Sequence, residues 1–570
     1  MTTYDDKPWL KSYDSGIEHE IKIPSITFAD LFEEGLTAKP YRPAIHFMGN
    51  SLTFKNLDIF SQKFSAFLDS KGICQGDVVG INLPNIPQYL IALSGAIRAG
   101  CAVTGISALV TPKELAYQLN DSKAKVLVTM DTNFEKNFLV VQNEIPNLKH
   151  IIVTNVGEFL PLIKRILGRI LKKIPTGKVE NIESKHVIGL QEILKNYSPK
   201  KINPNIKPED TCLLQYTGGT TGLPKGTILT HRNLVANVVQ ARKWVDFQSG
   251  TDVACSGFPL FHLAGLILGM MSLSTSNTQC LIPDPRNTDH ICKEIARYKP
   301  TFIANVPTLF HLLMNNPMFK QLDFSNVRIC ISGAAPFSVE GIKALESFLG
   351  KGSLMEVYGM TETSPLVTMN PYKGIKKIGS VGLPLQSTMV KIVDIQTGLN
   401  EVPIGEEGEL IIKGPQVMKG YYNKPEETNH ALREFKDEKW LYTGDIAKMD
   451  EDGYVYIVDR VKDMLNVGGY KVFSREVEDT LYQHPYIELC AIIGALNPER
   501  PGSDIVKVVI KLSEEAKAKN IDTVKQEIQE YCKKNMAAYK VPKIFEFTDD
   551  IPLTRVGKVD KKILRKTTQT

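Results

Sequence analysis

The chain has little excess charge and no long hydrophobic run. Its 570 residues include 68 basic and 63 acidic ones, so the formal net charge is only +5. A nucleic-acid-binding domain carries a clustered basic face, and we therefore predict no nucleic-acid partner. No apolar stretch reaches the roughly 20 residues that a membrane-spanning helix needs. The longest, residues 258–273, is interrupted by His262 and is interpreted as buried chain.

Paired cysteines are also missing. The nine Cys residues are scattered and never form a CxxC pair, which excludes the ligand spacing of a zinc site. Unpaired cysteines within apolar stretches are typical of a reducing compartment. The first residues, MTTYDDKPWLKSYDSG, lack the basic and apolar regions of a secretory signal peptide. We therefore expect a cytoplasmic protein.

The order of short apolar runs predicts an α/β protein of more than one unit. A single hydrophobic core stops growing near roughly 250–300 residues, so a chain of 570 residues needs at least two. Over the first ~460 residues, buried-strand patterns alternate with helical spacing, which predicts a largely parallel sheet. The clearest strand patterns are at 126–130, 150–154, 302–306 and 327–332.

The sequence pattern of apolar and turn-forming residues changes twice further along the chain. From about residue 389 it becomes rich in strands and turns, which predicts hairpins or a small barrel. After Arg460, strand patterns at 491–496 and 504–512 flank a helical pattern near 521–534. A small α+β unit is the natural interpretation of this last part.

One segment, residues 159–178, has the pattern of a basic amphipathic helix. Its apolar stripe consists of Leu162, Ile163, Ile166, Leu167, Ile170, Leu171 and Ile174. Its cations are Lys164, Arg165, Arg169, Lys172 and Lys173, and no acid lies between Leu160 and Val179. Such a helix is the form of an interfacial membrane binder, here for an anionic surface. The alternative is an ordinary surface helix packed on its own domain.

The strongest motif is a loop rich in glycine and threonine, residues 213–233. An apolar strand leads into Thr217, Gly218, Gly219, Thr220, Thr221, Gly222 and then Lys225. Glycines let backbone N–H groups converge on an anion, while the hydroxyls add donors and the lysine adds a cation. The pattern predicts a polyphosphate cradle. It is not a Walker A loop, because Pro224 precedes the lysine and Gly226 follows it.

This loop resembles the signature of the adenylate-forming superfamily, which contains acyl-CoA synthetases, luciferases and peptide-synthetase adenylation domains. Further motifs of the family follow in order along nearly the whole chain. The Gly218-Gly219 form of the loop and the context at 369–388 are most similar to bacterial long-chain fatty acid–CoA ligases. The resemblance implies a large multilayer α/β N-terminal body with a small β-barrel-like part. A small, mobile α+β C-terminal domain would follow it.

Two motifs have the residue types of a nucleotide site. In SGAAPFS (332–338), the resemblance implies that Gly333, Ala334 and Ala335 line the adenine. EVYGMTETSP (356–365) combines an aromatic ring, hydroxyls and a carboxylate, which suit base stacking, phosphate and Mg²⁺. The resemblance assigns base stacking to Tyr358 with Gly359, phosphate contact to Thr361 and Mg²⁺ binding to Glu362. Thr217 would be a further metal contact.

Residues 440–478 carry the implied ribose site and hinge. A single carboxylate can accept both ribose hydroxyls, and the family gives that role to Asp445, with Arg460 as a second ribose or phosphate contact. Lys462 falls at the interdomain hinge, so the expected units are 1–459, the hinge 460–462 and 463–570. Gly468 and Gly469 would line a tunnel for the pantetheine arm of CoA.

Two further residues are implied at the reacting centre. Lys558, in PLTRVGKVDKKILRK (552–566), matches the family's catalytic lysine. His262, in FPLFHLAG, matches a histidine beside the acyl and AMP pockets, although a satisfied core histidine remains the alternative. The apolar run after His262 would wall the acyl tunnel, or be plain core.

The resemblance implies a reaction in two halves. A medium- or long-chain fatty acid attacks ATP, with Mg²⁺ as cofactor, to give acyl-AMP and pyrophosphate, and CoA then takes the acyl group. Peripheral contact with the cytoplasmic membrane face is expected through 159–178, and the resemblance allows a homodimer. Chain length and pathway are left open.

Four alternatives remain at this point. An aryl- or coumarate-type CoA ligase shares the catalytic motifs and differs in the acyl pocket. An acyl–acyl carrier protein ligase would use a carrier thiol. A luciferase-like oxygenase needs a lysine where this chain has Asn466. A membrane-tethered nucleotide-binding protein would bind ATP without releasing pyrophosphate.

Overall fold

The computed structural model describes residues 3–217, 223–468, 470–498, 500, 503–554 and 557–568. Six residues of the predicted site lie outside this part, namely Gly218, Gly219, Thr220, Thr221, Gly222 and Gly469. None of the helices in the described part combines the length and the apolar character that crossing a membrane requires.

Two groups of strands follow each other along the chain. The first group is β1 (Pro43–Phe47), β2 (Asn50–Thr53), β3 (Val78–Asn82), β4 (Ala102–Gly105), β5 (Val126–Met130), β6 (His150–Thr154), β7 (His186–Gly189), β8 (Thr211–Thr217), β9 (Lys225–Thr230), β10 (Val253–Ser256), β11 (Thr278–Leu281), β12 (Phe302–Asn305), β13 (Ile329–Ser332), β14 (Leu354–Gly359), β15 (Leu366–Met369), β16 (Leu383–Pro384), β17 (Met389–Val393), β18 (Gly408–Lys413), β19 (Gly420–Tyr421), β20 (Leu432–Phe435), β21 (Glu438–Met449) and β22 (Val455–Arg460). The second group is β23 (Leu465–Val467), β24 (Tyr470–Val472), β25 (Ile487–Leu496), β26 (Asp504–Leu512) and β27 (Ile544–Phe547).

Helices alternate with these strands. They are α1 (Phe28–Ala38), α2 (Phe54–Ser70), α3 (Pro87–Arg98), α4 (Pro112–Asp121), α5 (Asp131–Asn133), α6 (Leu139–Val141), α7 (Leu162–Ile170), α8 (Leu190–Asn196), α9 (His231–Trp244), α10 (Leu263–Ser274), α11 (Thr288–Tyr298), α12 (Pro307–Asn315), α13 (Val339–Leu349), α14 (Pro425–Ala431), α15 (Ser474–Leu481), α16 (Glu514–Lys517), α17 (Ile521–Asn535) and α18 (Lys561–Thr568).

Two large sheets form most of the N-terminal body. One has the strand order β16-β15-β14-β13-β12-β10-β11-β1-β2, and the other β19-β9-β8-β4-β3-β5-β6-β7. In the first sheet, the neighbouring strands in the order β14-β13-β12-β10-β11-β1 are parallel. In the second sheet, the neighbouring strands in the order β8-β4-β3-β5-β6-β7 are parallel. Helices cover the sheets, as the alternation of strand and helix patterns predicted. Loops at the carboxyl ends of parallel strands are where α/β proteins place ligands.

The later strands form smaller sheets. The region that changes texture at residue 389 contains an antiparallel sheet of order β17-β18-β21-β20, with β22 also paired to β21. In the C-terminal domain, β25, β26 and β27 form a three-stranded sheet and β23 pairs with β24. Helices α15 and α17 pack with this domain's core through Val477, Val524 and Ile528. The α+β expectation is confirmed.

The apolar cores do not cross Arg460. In the described part of the chain, the last residue that packs in the largest core is Ile457, which is partly buried. The first residues of the two cores in the C-terminal domain are Leu465 and Leu489. The N-terminal body and the C-terminal domain therefore each bury their own apolar side chains. What joins them is largely polar.

Helix α7 differs from its prediction in length. It ends at Ile170, because Lys172 takes a left-handed backbone conformation with φ of 52°. Ile174 is therefore not on the helical stripe: it turns back and is buried at 8% exposure against Gly168. Lys172 and Lys173 also follow the helix instead of lying on its face.

Candidate active site

A cleft of about 2080 Å³ lies between the N-terminal body and the C-terminal domain. Most of the predicted site residues that the structure describes line it. They are Thr217, Lys225, His262, Gly333, Ala334, Ala335, Tyr358, Gly359, Thr361, Glu362, Asp445, Arg460, Lys462 and Lys558. Motifs that lie more than 300 residues apart in the chain thus meet in one space.

Chain topology explains why the phosphate-loop ends and the base motifs meet. Thr217 ends β8 and Lys225 begins β9, and the two are paired directly across this antiparallel hairpin. Gly333 follows the last residue of β13, and Tyr358 lies at the end of the adjacent strand β14. Gly359 allows no side chain, because a Cβ there would lie 1.8 Å from the carbonyl oxygen of Pro365.

An aromatic ring, a carboxylate and a guanidinium are joined at one side of the cleft. The hydroxyl of Tyr358 donates a 2.7 Å hydrogen bond to Asp445, and Arg460 Nε lies 2.9 Å from the other oxygen of that carboxylate. Asp445 and Arg460 also face each other across strands β21 and β22. Asp445 raises the pKa of Arg460, and burial raises the pKa of Tyr358 well above its usual value. This group can therefore hold a polar ring such as ribose next to an aromatic face.

A second polar group surrounds Glu362. This carboxylate is buried and accepts a 2.7 Å hydrogen bond from the hydroxyl of Tyr421, and burial raises its pKa. Lys225 Nζ lies 5.2 Å from the centre of the Tyr421 ring and forms an ion pair with Glu427. The lysine is thereby held near Glu362 by residues on β19 and α14.

The residues around Glu362 fit Mg²⁺ that arrives with a polyphosphate. Magnesium keeps several waters and is usually bound by one or two carboxylates plus substrate phosphates. The described part of the chain contains no cluster of three or more His, Cys, Asp or Glu side chains that could hold a metal. A cation would also stabilise the charged form of Glu362, which burial disfavours. Thr217 contributes a hydroxyl to the same cleft.

Positive charge is concentrated around Lys558. Burial, together with the charges of Arg460 and Lys462, lowers the pKa of Lys558 to about 8, while Asp445 acts in the opposite direction. Burial and Arg460 likewise lower the pKa of Lys462 to about 8. Three cations that repel one another are characteristic of a site that expects an anion.

The loop that carries Lys558 is docked on the N-terminal body. Thr308 Oγ1, in α12, donates a 3.2 Å hydrogen bond to the carbonyl oxygen of Gly557. Within the loop, the N–H of Thr554 donates to the carbonyl oxygen of Lys558 at 2.6 Å. Gly557 has φ of 79°, and a Cβ there would lie 3.1 Å from Thr308 Oγ1. The positive φ favours glycine at this turn, and an added Cβ would crowd Thr308.

His262 caps the N-terminus of α10 and faces the same cleft. Its Nδ1 accepts a hydrogen bond of 3.3 Å from the N–H of Ala264. Burial and the charge of Lys558 lower the pKa of His262 to about 4, so the ring is neutral at pH 7. Since Nδ1 accepts, we assign the proton to Nε2, which can donate a hydrogen bond. His262 lines the cleft wall, and its role beside the acyl and AMP pockets stays a prediction, as does the alternative of a plain core histidine.

Part of the cleft lining, near His262 in sequence and fold, is apolar and is called the apolar branch. Its walls come from α9, α10, β12 and their neighbours, and include Ala241, Val245, Phe247, Ile267, Leu268, Met271, Phe302 and Ala304. From His262 to Met271, the rise of α10 amounts to about 13 Å. The run after His262 is thus both core and cavity wall, and the branch suits a hydrocarbon chain.

Gly468 lies elsewhere. It is in the turn between β23 and β24, has φ of 61° and donates its N–H to Ser503 Oγ at 2.8 Å. It is not among the residues that line the cleft in the described part of the chain. A role in a second step of catalysis stays a prediction, and its neighbour Gly469 is outside the described residues.

The sequence matches two family descriptions in succession. Residues 32–422 match the AMP-binding enzyme family, and residues 476–558 match the AMP-binding enzyme C-terminal domain. The chain belongs to the AMP-binding enzyme family. The gap between the two matches contains Asp445, Arg460 and Lys462.

Curated relatives of this AMP-binding enzyme extend over its whole length. It is 38% identical to a long-chain-fatty-acid–CoA ligase of Bacillus subtilis (strain 168), over 98% of this chain and 97% of the relative. It is 36% identical to a long-chain-fatty-acid–CoA ligase of Escherichia coli O6:H1, over 98% of each.

Solved structures share the fold. The anthranilate CoA ligase AuaEII in complex with anthranoyl-AMP matches with a TM-score of 0.82 and 25% identity, over 96% of this chain and 98% of that one. ATP-bound MatB from Rhodopseudomonas palustris matches with a TM-score of 0.79 and 26% identity, over 95% of this chain and 99% of that one. Apo MatB, with 27% identity and the same coverage, matches with a lower TM-score of 0.69. The arrangement seen in this AMP-binding enzyme is therefore closer to that of the ATP-bound form.

Sequence reasoning missed several residues that shape the site of this AMP-binding enzyme. Tyr421 contacts both Glu362 and Lys225, Glu427 pairs with Lys225, and Thr308 holds the Lys558 loop. None of the three lies in a motif, and each acts through a neighbour that is distant in sequence. Only the folded chain brings these partners together.

Proposed function

We propose that this protein is a fatty acid–CoA ligase that forms AMP. The carboxylate of a medium- or long-chain fatty acid would react with ATP to give acyl-AMP and pyrophosphate, and CoA would then take the acyl group and release AMP. The observation that carries the proposal is the placement of Lys558 in one cleft with nucleotide-binding groups and an apolar branch. The full-length similarity to long-chain-fatty-acid–CoA ligases supports the choice of substrate.

In the first half-reaction, a carboxylate oxygen attacks the α-phosphorus and the bond to the pyrophosphate oxygen breaks. The nucleophile is already an anion, so no general base is needed, but it must approach a polyphosphate of like charge. Lys558 would lie between the carboxylate and the α-phosphate and reduce this repulsion. His262 Nε2–H would donate to the carboxylate or α-phosphate oxygen. Catalysis would be mainly positioning and electrostatic stabilisation.

The remaining predicted residues would bind the nucleotide. Adenine would contact the ring of Tyr358 and the backbone at Gly333, Ala334, Ala335 and Gly359. The ribose would contact Asp445 and Arg460. Thr361, Lys225, Lys462 and the loop Thr217, Gly218, Gly219, Thr220, Thr221 and Gly222 would contact the phosphates. Glu362 and Thr217 would hold Mg²⁺, which neutralises charge on the leaving pyrophosphate when bound.

The second half-reaction would use another arrangement of the C-terminal domain. Lys558 lines the cleft between the two parts, whereas Gly468 is not among the described residues that line it. We therefore place the body at 1–459, a hinge at 460–462 and the mobile domain at 463–570, in which Gly468 and Gly469 would line the path of the pantetheine arm. The separate apolar cores on the two sides of Arg460 support this division.

A peripheral location at the cytoplasmic membrane face belongs to the same proposal. A fatty acid with a long chain partitions into membranes because each buried CH₂ group contributes about 0.8 kcal/mol. An enzyme that collects it gains from being close to the bilayer. The proposal also allows a homodimer.

The proposal is tested by AMP release across a series of acids, from acetate to eicosanoate, with benzoate and coumarate included. Release that depends on CoA and rises with chain length supports it. A preference for the aromatic acids would make the protein an aryl–CoA ligase. Pyrophosphate exchange without CoA-dependent release would favour a carrier-protein acceptor, and ATP binding without exchange for any acid would contradict the enzyme assignment.

A further inference from the structure

Helix α7 packs on the protein with its small and polar side and turns its apolar side to solvent. Six apolar residues of the segment are 49–73% exposed, namely Leu162, Ile163, Ile166, Leu167, Ile170 and Leu171. No residue within the helix is buried. A surface helix of a globular protein normally does the reverse and faces the core with its apolar stripe. The outward stripe is therefore an unpartnered apolar surface on this chain.

Specific contacts fix this orientation. Lys164 Nζ donates a 2.7 Å hydrogen bond to the carbonyl oxygen of Met48, in the turn between β1 and β2. Gly168 lies against Ile174, so that a Cβ at Gly168 would be 2.8 Å from that side chain. Asn50 Nδ2 also donates a 2.8 Å hydrogen bond to the carbonyl oxygen of Phe159, just before the helix. The inner face is thus occupied, and the helix presents its apolar face in a preformed orientation.

Cations flank the exposed stripe. Arg169 is exposed on the helix, and Lys172 and Lys173 follow directly after it and are exposed too. Arg165 is half-buried on the inner side of the helix, as is Gly168. Within the described ranges, none of these three exposed side chains has an ion-pair partner among the carboxylates. Since no acid lies between Leu160 and Val179, the positive charge around the stripe is not neutralised locally.

We infer that α7 and residues 171–173 dock on an anionic phospholipid surface. The apolar side chains would enter the interface between headgroups and acyl chains, and Arg169, Lys172 and Lys173 would face the lipid headgroups. The helix has nine residues and a length of about 13 Å, which suits lying in the interface and excludes spanning it. This inference rests on the proposed peripheral location at the membrane and specifies the docking surface and the class of lipid. It does not depend on the proposed ligase reaction.

The docking surface is separate from the catalytic cleft. In the part of the chain that the structure describes, no α7 residue lines that cleft. The helix lies instead against the turn between β1 and β2, at the outer edge of the first sheet. Changes on the exposed face of α7 should therefore alter membrane binding and leave reaction with a soluble short-chain acid unchanged.

The test is flotation of the full-length protein with vesicles of phosphatidylglycerol and phosphatidylcholine, and with phosphatidylcholine alone. The apolar variant carries Ile163→Ser and Ile170→Ser, whose side chains are 73% and 70% exposed. Its matched control carries Ile375→Ser and Leu399→Ser, at 73% and 67% exposure elsewhere on the protein. The charge variant changes Arg169, Lys172 and Lys173 to Gln and leaves Lys164 and Arg165, on the side that faces the protein, intact.

We expect the wild type and the matched control to float with anionic vesicles and to be released by high salt. The apolar and charge variants should each lose at least tenfold in the bound fraction, with AMP release from a soluble acid unchanged in the absence of vesicles. Equal flotation of all four proteins would overturn the inference, as would equal binding to neutral vesicles. So would a dimer in sedimentation that Ile163→Ser with Ile170→Ser dissociates, because α7 would then be covered by a second copy.

Discussion

Thr308 Oγ1 donates a 3.2 Å hydrogen bond to the carbonyl oxygen of Gly557, the residue before Lys558. This contact joins α12 of the N-terminal body to the lysine loop of the C-terminal domain. It places Lys558 in the cleft beside Asp445, Arg460 and Lys462. In the proposed mechanism, the first half-reaction would therefore depend on interdomain contacts as well as on the residues that bind the nucleotide.

Replacing Lys558 should separate the two half-reactions. Lys558→Ala removes the cation between the carboxylate and the α-phosphate, and we expect adenylation to fall about 10²–10³-fold, or about 3–4 kcal/mol. Thioester formation from supplied acyl-AMP should stay close to the wild-type rate. Pyrophosphate exchange measures the first step and AMP release from acyl-AMP the second. An equal loss in both would contradict separate roles.

Crowding the turn before Lys558 should have a similar but smaller effect. Gly557→Ala introduces a Cβ 3.1 Å from Thr308 Oγ1 at a residue with φ of 79°, and the loop should dock poorly. We expect adenylation to slow several-fold while the second step is retained. Gly16→Ala is the control, because Gly16 also has a positive φ but no atom within 4 Å of the added Cβ. If both variants slow adenylation equally, docking is not the cause.

The pH dependence of adenylation should report the charge of Lys558. Its pKa is lowered to about 8, so the fraction that carries a positive charge falls as the pH rises through this value. The kcat/KM for ATP in pyrophosphate exchange, which reflects the free enzyme, should therefore decline above pH ~8. Lys558→Arg, if active, should move the decline to higher pH. Since Lys462 also has a pKa of about 8, Lys462→Arg is the required comparison.

The bond between Tyr358 and Asp445 should affect nucleotide binding more than turnover. Tyr358→Phe keeps the ring but removes the 2.7 Å hydrogen bond to the carboxylate, and a bond to a charged group contributes about 1.5–3 kcal/mol. We expect the KM for ATP to rise about tenfold with kcat within a factor of about three. Asp445→Asn should raise the KM further, because Arg460 then loses its ion pair. A fall in kcat alone would argue against a binding role.

The apolar branch should set the preferred chain length. Leu268 lies on its wall six residues beyond His262, about 9 Å along α10. Leu268→Trp should obstruct the branch at that depth and shift the preference toward shorter acids, while acetate and propionate are used as before. Rates of AMP release over the acid series check this, and an unchanged profile would place the acyl chain elsewhere.

Much of the fold could be predicted because the apolar patterns in the sequence agree with the residues that are buried in the folded protein. The run at 126–130 is a strand buried along its whole length, and the helix expected near 521–534 spans Ile521–Asn535. The parallel pairing followed from the alternation of strands and helices. The end of α7 could not be predicted, because the left-handed turn at Lys172 leaves no clear signal in the sequence.

The candidate site was predictable only where its residues lie in motifs. Lys225, Glu362 and Lys558 were found in this way, and the structure brings all three to one cleft. The partners that orient them, such as Tyr421 and Thr308, were not, since each is an ordinary residue whose importance comes from long-range packing. Sequence likewise indicated that 159–178 is amphipathic but not which side faces the protein.

The polar junction between the two parts of the protein has a consequence for its energy landscape. Near Arg460 the contacts are hydrogen bonds, such as those from Ser474 to Asp459 and from Arg475 to the carbonyl oxygen of Ile457. Water can replace each of them when the parts separate, so little free energy is lost overall. If the C-terminal domain moves as proposed, two arrangements that differ so little would both be populated, and differential affinity for ATP, acyl-AMP and CoA would decide which one dominates.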